Sequence, residues 1–286
     1  MASVDAGCLI GMTIGLPKLD LEDAFRALHE AGFTAVEVFW GQLGPGLVEV
    51  PLSTAYATAV ARTAKDADLK VSTLNCITGS LDAYGDASSR HKTAETIAQQ
   101  LRLAAAMEAD RILLWDGELD DPEKLVDAPK QLADCLAQAL ATSELADPPQ
   151  IAIELHPNTF AFRHRLHEQV AKQLRAIGAG VCLDFCHAGV AFGPGFMDEF
   201  SPQFLDTVTH LHYADTDGLS EQLHFPPGEG VLNLEMVVAR LAGRGLPMAW
   251  DLFGWPNPRF TFAKAMAKYR EAVAKLERPL SGGMHS

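Results

Sequence analysis

The chain has 286 residues, of which 48% are hydrophobic, so it can bury a large core, and no linker-like stretch divides it. Its 37 acidic residues outnumber its 23 basic residues, and the formal net charge of −14 argues against nucleic acid or an anionic membrane as a partner. No apolar run is long enough to span a bilayer, and residues 1–15 lack the features of a signal peptide.

Eight short β-rich segments alternate with longer amphipathic segments along the chain. We predict strands at residues 8–13, 34–39, 70–75, 111–115, 151–155, 180–185, 208–213 and 248–253. Most are continuous apolar runs, which is typical of parallel strands covered by helices. We predict helices at residues 21–31, 54–67, 88–107, 123–145, 166–177, 232–241 and 261–276, with a short helix near 198–205. Their predicted amino-terminal caps are Asp20, Ser53, Asp121 and Asn233.

The connections between these segments are asymmetric. Links from helix to strand are short, and several contain a glycine, such as Gly32, where a helix ends. Links from strand to helix are long and irregular, which predicts a working face at the carboxyl ends of the strands. An open doubly wound sheet is disfavoured because no GxGxxG or P-loop motif follows any strand. We therefore predict a single-domain (β/α)8 TIM barrel over residues 1–278, followed by a flexible tail at 279–286.

Polar residues stand at the carboxyl ends of the last four predicted strands, where apolar packing should prevail. They are Glu154, Asp184, His210 with His212, and Asp251. Converging carboxylates would repel one another and lose hydration unless a cation lay between them. The oxygen and imidazole set suits one divalent metal ion, Mn, Mg, Co or Zn. The structural alternatives are that Glu154 pairs with an arginine, that Asp251 caps a helix, and that one histidine is simply buried and hydrogen-bonded.

Further residues are candidates for contact with a substrate. His156 follows Glu154 by two positions and therefore faces the same way. Glu37 is predicted to face the pocket or to pair with a neighbour, and His210 is a further contact candidate. His187 is a contact candidate whose alternatives are orienting Asp184 or a plain loop position. We expect His224, on a long loop of the working face, to be a solvent-exposed histidine, and a ligand role is the alternative. Apolar walls for a sugar, or simple barrel packing, are predicted for Trp40, Trp115, Phe160, Trp250 and Trp255.

The cysteines bear on the cellular compartment. The sequence contains an odd number of cysteines, and none of them form a CxxC pair: Cys8, Cys76, Cys135, Cys182 and Cys186. This favours free thiols in a reducing environment, so we expect a cytoplasmic protein. Cys182 and Cys186 flank Asp184, and we interpret them as small residues that pack the barrel.

At these positions the sequence resembles the xylose isomerase-like superfamily of barrels. The resemblance rests on IELHP, LDFCH, HLHYAD, PPGEG and the acidic residue of the last strand, together with LHEAGFTAVEV near the start. This superfamily includes sugar (phosphate) isomerases and epimerases, inosose and dehydroshikimate dehydratases, and endonuclease-IV-type DNA repair enzymes. The DNA repair branch is disfavoured here, because strand four supplies no additional histidine and Gln222 replaces an acidic residue of that branch.

The resemblance also implies a set of site residues. The metal ligands would be Glu154, Asp184, His212 and Asp251, with Asp251 standing where the family usually has glutamate. His212 is preferred to His210 because the family ligand precedes an acidic position by three residues, matched here by HYAD. The family's Asp-x-x-His motif implies that His187 contacts a substrate oxygen.

The implied chemistry is proton transfer beside a metal-bound carbonyl, through an enediolate, with Glu154 and Asp251 on opposite faces of the substrate. We expect a metal-dependent isomerase or epimerase of a small keto sugar. The alternatives are a dehydratase of a cyclic keto-polyol, such as an inosose or dehydroshikimate, and a non-catalytic barrel or complex subunit. The working-face loops contain few basic residues, and Arg90 and Arg163 are the nearest candidates for binding a phosphate group. This favours an unphosphorylated substrate. The sequence leaves open whether the protein forms a homo-oligomer.

Overall fold

The computed structural model describes residues 9–43, 53–77, 82–241, 243–253, 262–264 and 267. Within them, eight parallel strands close into a barrel in the order of the sequence, with the first strand paired to the last. The strands are β1 (Leu9–Met12), β2 (Ala35–Phe39), β3 (Lys70–Asn75), β4 (Arg111–Trp115), β5 (Gln150–Glu154), β6 (Gly180–Asp184), β7 (Val208–His212) and β8 (Met248–Trp250). The (β/α)8 barrel predicted from the sequence is confirmed.

Helices alternate with these strands along the described chain. They are α1 (Leu21–Ala31), α2 (Thr54–Asp66), α3 (Ala87–Ala106), α4 (Pro122–Leu125), α5 (Ala128–Ser143), α6 (Phe160–Arg163), α7 (His167–Ala176), α8 (Phe185–Phe192), α9 (Pro202–Leu205) and α10 (Leu234–Leu241). The side chains of Asp20, Ser53, Asp121 and Asn233 each accept a backbone N–H from the first turn, as predicted for amino-terminal caps. Gly32 ends α1 in the left-handed conformation, with φ at 98°.

Two predicted helical regions differ from the observed ones. The helix predicted at residues 123–145 is divided into α4 and α5, because Pro129 has no N–H to donate and is tolerated only in a first helical turn. The region after β6 was predicted to be a long loop, but α8 begins there at once. Asp184 caps it by accepting the backbone N–H of His187 at 2.7 Å. Of the last predicted helix, residues 262–264 and 267 are described and are helical, while the predicted tail at 279–286 lies outside the described residues.

The barrel interior contains both apolar and polar side chains. Its apolar part consists of two small clusters: Ile10, Met12, Ala35 and Ala249 form one, and Leu113, Ala152 and Cys182 form the other. The much larger core lies between the outer faces of the strands and the helices. Polar side chains occupy the rest of the interior and its carboxyl end, where Glu37, Asn75, Glu154, Asp184, His210 and His212 are all buried. Among the described residues, no helix is long and apolar enough to cross a membrane.

Candidate metal centre

Four side chains from the last four strands converge at the carboxyl end of the barrel. Glu154 ends β5, Asp184 ends β6, His212 ends β7, and Asp251 directly follows β8. Their candidate ligand atoms all lie within 4.8 Å of one another. His212 Nδ1 is 2.7 Å from Glu154 Oε1 and 3.5 Å from both Asp184 Oδ2 and Asp251 Oδ2. The four residues that the sequence indicated as ligands are therefore brought together.

The chemistry of this cluster fits a divalent cation. Glu154 Oε1, Asp184 Oδ2, His212 Nδ1 and Asp251 Oδ1 are all buried without a hydrogen-bond partner. Four such atoms gathered in one small space would be costly to bury unless a cation lay between them. Metal–ligand bonds of about 2.1 Å place neighbouring ligands roughly 3 Å apart, which is close to the spacing seen here. Burial raises the pKa of Glu154, and the charges of Asp184 and Asp251 act in the same direction.

A second layer of polar residues lies beneath the cluster, deeper in the barrel. Glu37 Oε2 is 2.8 Å from His210 Nε2, and Glu37 Oε1 is 3.2 Å from His212 Nε2. Asn75 Nδ2 also donates to Glu37 Oε1, at 2.8 Å. Both histidines of the HxH pair therefore face the same side of β7, as alternation predicts. Burial alone would raise the pKa of Glu37, but His212 and His210 hold it well below its ordinary value.

The cluster opens into a cavity that is lined by both apolar and polar side chains. Its apolar lining consists of Met12, Ile14, Phe39, Ile77, Trp115 and Phe253. Its polar lining adds Asn75, His156, His187, Glu221, Gln222 and His224 to three of the candidate ligands. Among the described lining residues there is no lysine or arginine. Arg163 instead pairs with Asp120 at 3.0 Å, and Arg90 donates to the carbonyl of Gly85 at 2.6 Å.

The aromatic residues proposed as sugar walls have different environments. Trp115 lines the cavity, and its Nε1 donates to Glu154 Oε2 at 2.6 Å, which orients the candidate ligand. Trp40 packs against the outer core, and Phe160 and Trp250 are fully buried within it. For these three the packing alternative is the observed one. Trp255 lies outside the described residues.

His156 and His187 lie side by side in the cavity lining, with ring centroids 4.2 Å apart. His156 Nδ1 accepts the backbone N–H of Asn158 at 3.1 Å, while its buried Nε2 has no partner. His187 Nδ1 lies 3.8 Å from Glu154 Oε1 and 4.0 Å from Asp184 Oδ1. Burial lowers the pKa of His156 to about 4 and that of His187 to about 3, so both rings are neutral near pH 7. Glu37 and His210, the other two contact candidates, do not line the cavity.

The expectation that His224 is exposed is wrong. Only 4% of His224 is exposed, and its Nδ1 lies 2.9 Å from Asp251 Oδ2. The loop after β7 folds inward because Asp215 accepts the backbone N–H groups of Gly228 and Leu232, each at 3.0 Å. The PPGEG motif supplies the turn in this loop, where Glu229 N–H donates to the carbonyl of Pro226 at 3.0 Å.

Sequence reasoning also missed Asp116, which directly follows β4 and is fully buried. Its carboxylate accepts the Thr159 hydroxyl and, at 2.8 Å, the backbone N–H of Ala161. The Tyr84 hydroxyl donates to its carbonyl. Burial raises the pKa of Asp116 to about 7 despite these hydrogen bonds. Asp116 thereby ties the loop that carries His156 to the end of β4.

The family model of the xylose isomerase-like TIM barrel matches residues 25–278. The chain belongs to this family. A search of curated protein sequences gives no significant match to this xylose isomerase-like barrel. The chain matches many solved structures, and its similarity to them establishes the fold.

Three of these structures illustrate the range of the family. A sugar phosphate isomerase/epimerase from Parabacteroides distasonis has a TM-score of 0.70 at 15% identity, with 94% of this chain and 97% of that one covered. The probable 3-DHS dehydratase AsbF from Bacillus anthracis has a TM-score of 0.69 at 16% identity, covering 92% and 98%. The IolI protein with a bound zinc atom has a TM-score of 0.71 at 14% identity, covering 94% and 97%. The chain also spans 45% of the length of a xylose isomerase-like TIM barrel/4-hydroxyphenylpyruvate dioxygenase fusion protein.

Proposed function

We propose that this xylose isomerase-like barrel is a divalent-metal-dependent isomerase or epimerase of a small keto sugar. One observation carries the proposal: four buried side chains on consecutive strands each offer an unpaired atom to the same small space, beside an open cavity. The IolI protein, which has the same fold, has a bound zinc atom in its crystal structure, and this supports a metal ion in this barrel as well.

Glu154, Asp184, His212 and Asp251 would hold the ion, and their oxygen and imidazole donors suit Mn, Mg, Co or Zn. When bound, such an ion supplies the Lewis acidity that polarises a carbonyl and stabilises negative charge on an adjacent enediolate.

The chain's own side chains would move the proton. Glu154 is held by Trp115 through one carboxylate oxygen, which leaves Oε1 directed at the centre. Asp251 is held by His224 and likewise keeps Oδ1 unpaired. Carboxylates on either side of a substrate can remove a proton from one face and return it to the other. Return to the same carbon gives an epimer, and return to the neighbouring carbon gives an isomer.

The neutral histidines would bind the substrate hydroxyls. Because His156 Nδ1 accepts a backbone N–H, the ring proton must be on Nε2. His156 therefore presents a donor to the cavity, and His187 stands beside it above Glu154. The absence of lysine and arginine from the described lining supports an unphosphorylated substrate. The buried free thiols of the described cysteines support a reducing, cytoplasmic setting.

A dehydratase of a cyclic keto-polyol is the second candidate. The cavity lining includes the apolar side chains of Phe39, Ile77 and Trp115, which suit contact with the carbon atoms of a ring. Loss of a β-hydroxyl from the same carbanion would then replace reprotonation. A non-catalytic barrel is the third candidate, and it predicts no need for a metal.

Metal content and deuterium exchange test these candidates together. The purified protein should contain about one equivalent of Mn, Co or Zn, and it should exchange deuterium from solvent into a ketopentose or ketohexose without loss of water. An absorbing enone formed from an inosose or from dehydroshikimate would favour the dehydratase instead. Glu154→Gln should abolish exchange and weaken metal binding, while Glu30→Gln on the exposed face of α1 should not. Full activity and metal content in Glu154→Gln would refute the site.

A further inference from the structure

Glu37 contacts a candidate metal ligand from below but does not reach the cavity. We propose that Glu37 is a positioning residue of the metal centre, and that it fixes the His212 ring so that Nδ1 faces the carboxylates. This inference rests on the proposed function, since it concerns the same metal centre. It replaces the substrate-contact role that the sequence suggested for Glu37 and His210 with a role beneath the site.

The contacts of Glu37 determine which atoms carry protons. Its Oε2 is 2.8 Å from His210 Nε2, and its Oε1 is 3.2 Å from His212 Nε2 and 2.8 Å from Asn75 Nδ2. An ionised carboxylate can only accept hydrogen bonds, so all three nitrogens must donate. Both histidines therefore carry a proton on Nε2.

This assignment has a direct consequence for the centre. With Nε2 turned toward Glu37, Nδ1 is the atom of His212 that faces the carboxylates, and its lone pair would bind the cation when the ion is present. That atom is buried without a hydrogen-bond partner, 2.7 Å from Glu154 Oε1 and 3.5 Å from oxygens of Asp184 and Asp251. Metal-binding histidines usually donate their second N–H to a carboxylate or carbonyl, which fixes both tautomer and ring orientation. Glu37 occupies that place.

His210 contributes by holding Glu37. Its side chain is fully buried in the barrel and donates to the oxygen that His212 does not use. Glu37 of β2 is held by His210 and His212 of β7 and by Asn75 of β3, so both of its carboxylate oxygens are in contact with donors. A rigid acceptor of this kind keeps the His212 ring from rotating its lone pair away from the centre.

The first part of the test is the protonation of His212 in the unsubstituted protein. Long-range proton–nitrogen NMR, assigned by comparison with His212→Gln, should show a proton on Nε2 of His212, both with zinc and after chelation. A His212 ring whose Nε2 carries no proton would overturn the proposal. This measurement does not depend on any Glu37 variant folding.

The second part is the zinc affinity of Glu37→Gln, which keeps the shape of the side chain but leaves one acceptor oxygen for three donors. Its affinity should fall about 10- to 100-fold, as is usual when such a partner is lost. Leu136→Ala, in the fully buried outer core on α5, is the control for lost stability and should bind zinc as the unsubstituted protein does. Unchanged affinity in Glu37→Gln would overturn the proposal. If the unsubstituted protein bound no metal, the proposed function would fail, while the NMR result would still decide the role of Glu37.

Discussion

His224 Nδ1 lies 2.9 Å from Asp251 Oδ2, so the loop after β7 directly supports the acidic residue that follows β8. Asp251 has one methylene fewer than a glutamate and therefore reaches less far into the barrel mouth. The histidine occupies one of its oxygens and leaves Oδ1 unpaired and directed at the centre. The contact between His224 and Asp251 therefore links the loop after β7 to the carboxyl end of β8.

We expect His224→Gln to weaken zinc binding by about 10- to 100-fold, because the orienting partner of Asp251 is lost. Calorimetric titration of zinc into the metal-free protein measures this change. His91→Gln is the control, since His91 lies on the exposed face of α3, where it contacts Glu95 and Gln138. Equal zinc affinities for His224→Gln and the unsubstituted protein would show that Asp251 needs no support.

His156→Phe tests whether the Nε2 proton of His156 is used by a substrate. Phenylalanine keeps the ring contacts with Trp115 and His187 but removes the Nε2 donor, together with the Nδ1 acceptor of the Asn158 N–H. Loss of one hydrogen bond worth about 0.5–1.5 kcal/mol should lower kcat/KM roughly 2- to 13-fold, while the metal content stays constant. His156→Gln retains an N–H donor and should recover part of the loss. A kcat/KM for His156→Phe equal to that of the unsubstituted enzyme would exclude the contact.

Asp116 should make stability fall as the pH rises. Its pKa is raised from 3.8 to about 7 in the folded protein, so between these values the folded chain keeps a proton that the unfolded chain has released. The free energy of unfolding should therefore decrease with pH in this window, relative to Asp116→Asn, which cannot titrate. The relative change should be roughly 3–4 kcal/mol between pH 4 and pH 8. Urea unfolding of both proteins at several pH values measures it, and a constant difference would contradict the shifted pKa.

Gly230 tests how closely the loop after β7 is packed. A Cβ atom there would lie 2.2 Å from the carbonyl oxygen of Thr216 and 2.3 Å from Asp215 Oδ1, both of which would have to move. We expect Gly230→Ala to lower the free energy of unfolding by about 1–3 kcal/mol. Gly195→Ala is the control, because no heavy atom lies within 4 Å of its Cβ position and its φ is −93°. Thermal unfolding of the two variants compares them, and equal melting temperatures would contradict the observed packing.

The pattern of apolar and polar residues predicted most of the fold and most of the candidate metal ligands. The continuous apolar runs predicted all eight strands, and polar residues at their ends indicated Glu154, Asp184, Asp251 and the pair His210 and His212, because strand ends of one barrel must meet. The family resemblance then selected His212 from that pair. The burial of His224 was not predictable in this way. It depends on Asp215 binding backbone groups of Gly228 and Leu232, which no repeat of polar and apolar residues encodes.

The layer beneath the site was hidden for a related reason. Glu37 and His210 are 173 residues apart, and a single sequence does not reveal which strand faces which across a barrel. Asp116 had no signal because a buried carboxyl after a strand looks like any loop aspartate until Thr159 and Ala161 are seen to bind it. The start of α8 directly after β6 was missed because the cap residue, Asp184, was already assigned to the metal centre.

The pairing of Glu37 with His210 and His212 also bears on the order of events during folding. Glu37 enters with the second strand, whereas both histidines enter with the seventh, and Asp251 follows the eighth. The complete centre therefore exists only after the two ends of the sheet have met. Contacts between such distant segments form late, because the loop between them must first be closed at an entropic cost. An ion bound by all four side chains would therefore stabilise the barrel only after it has closed. In a refolding experiment, the rate of metal binding would report the rate of barrel closure.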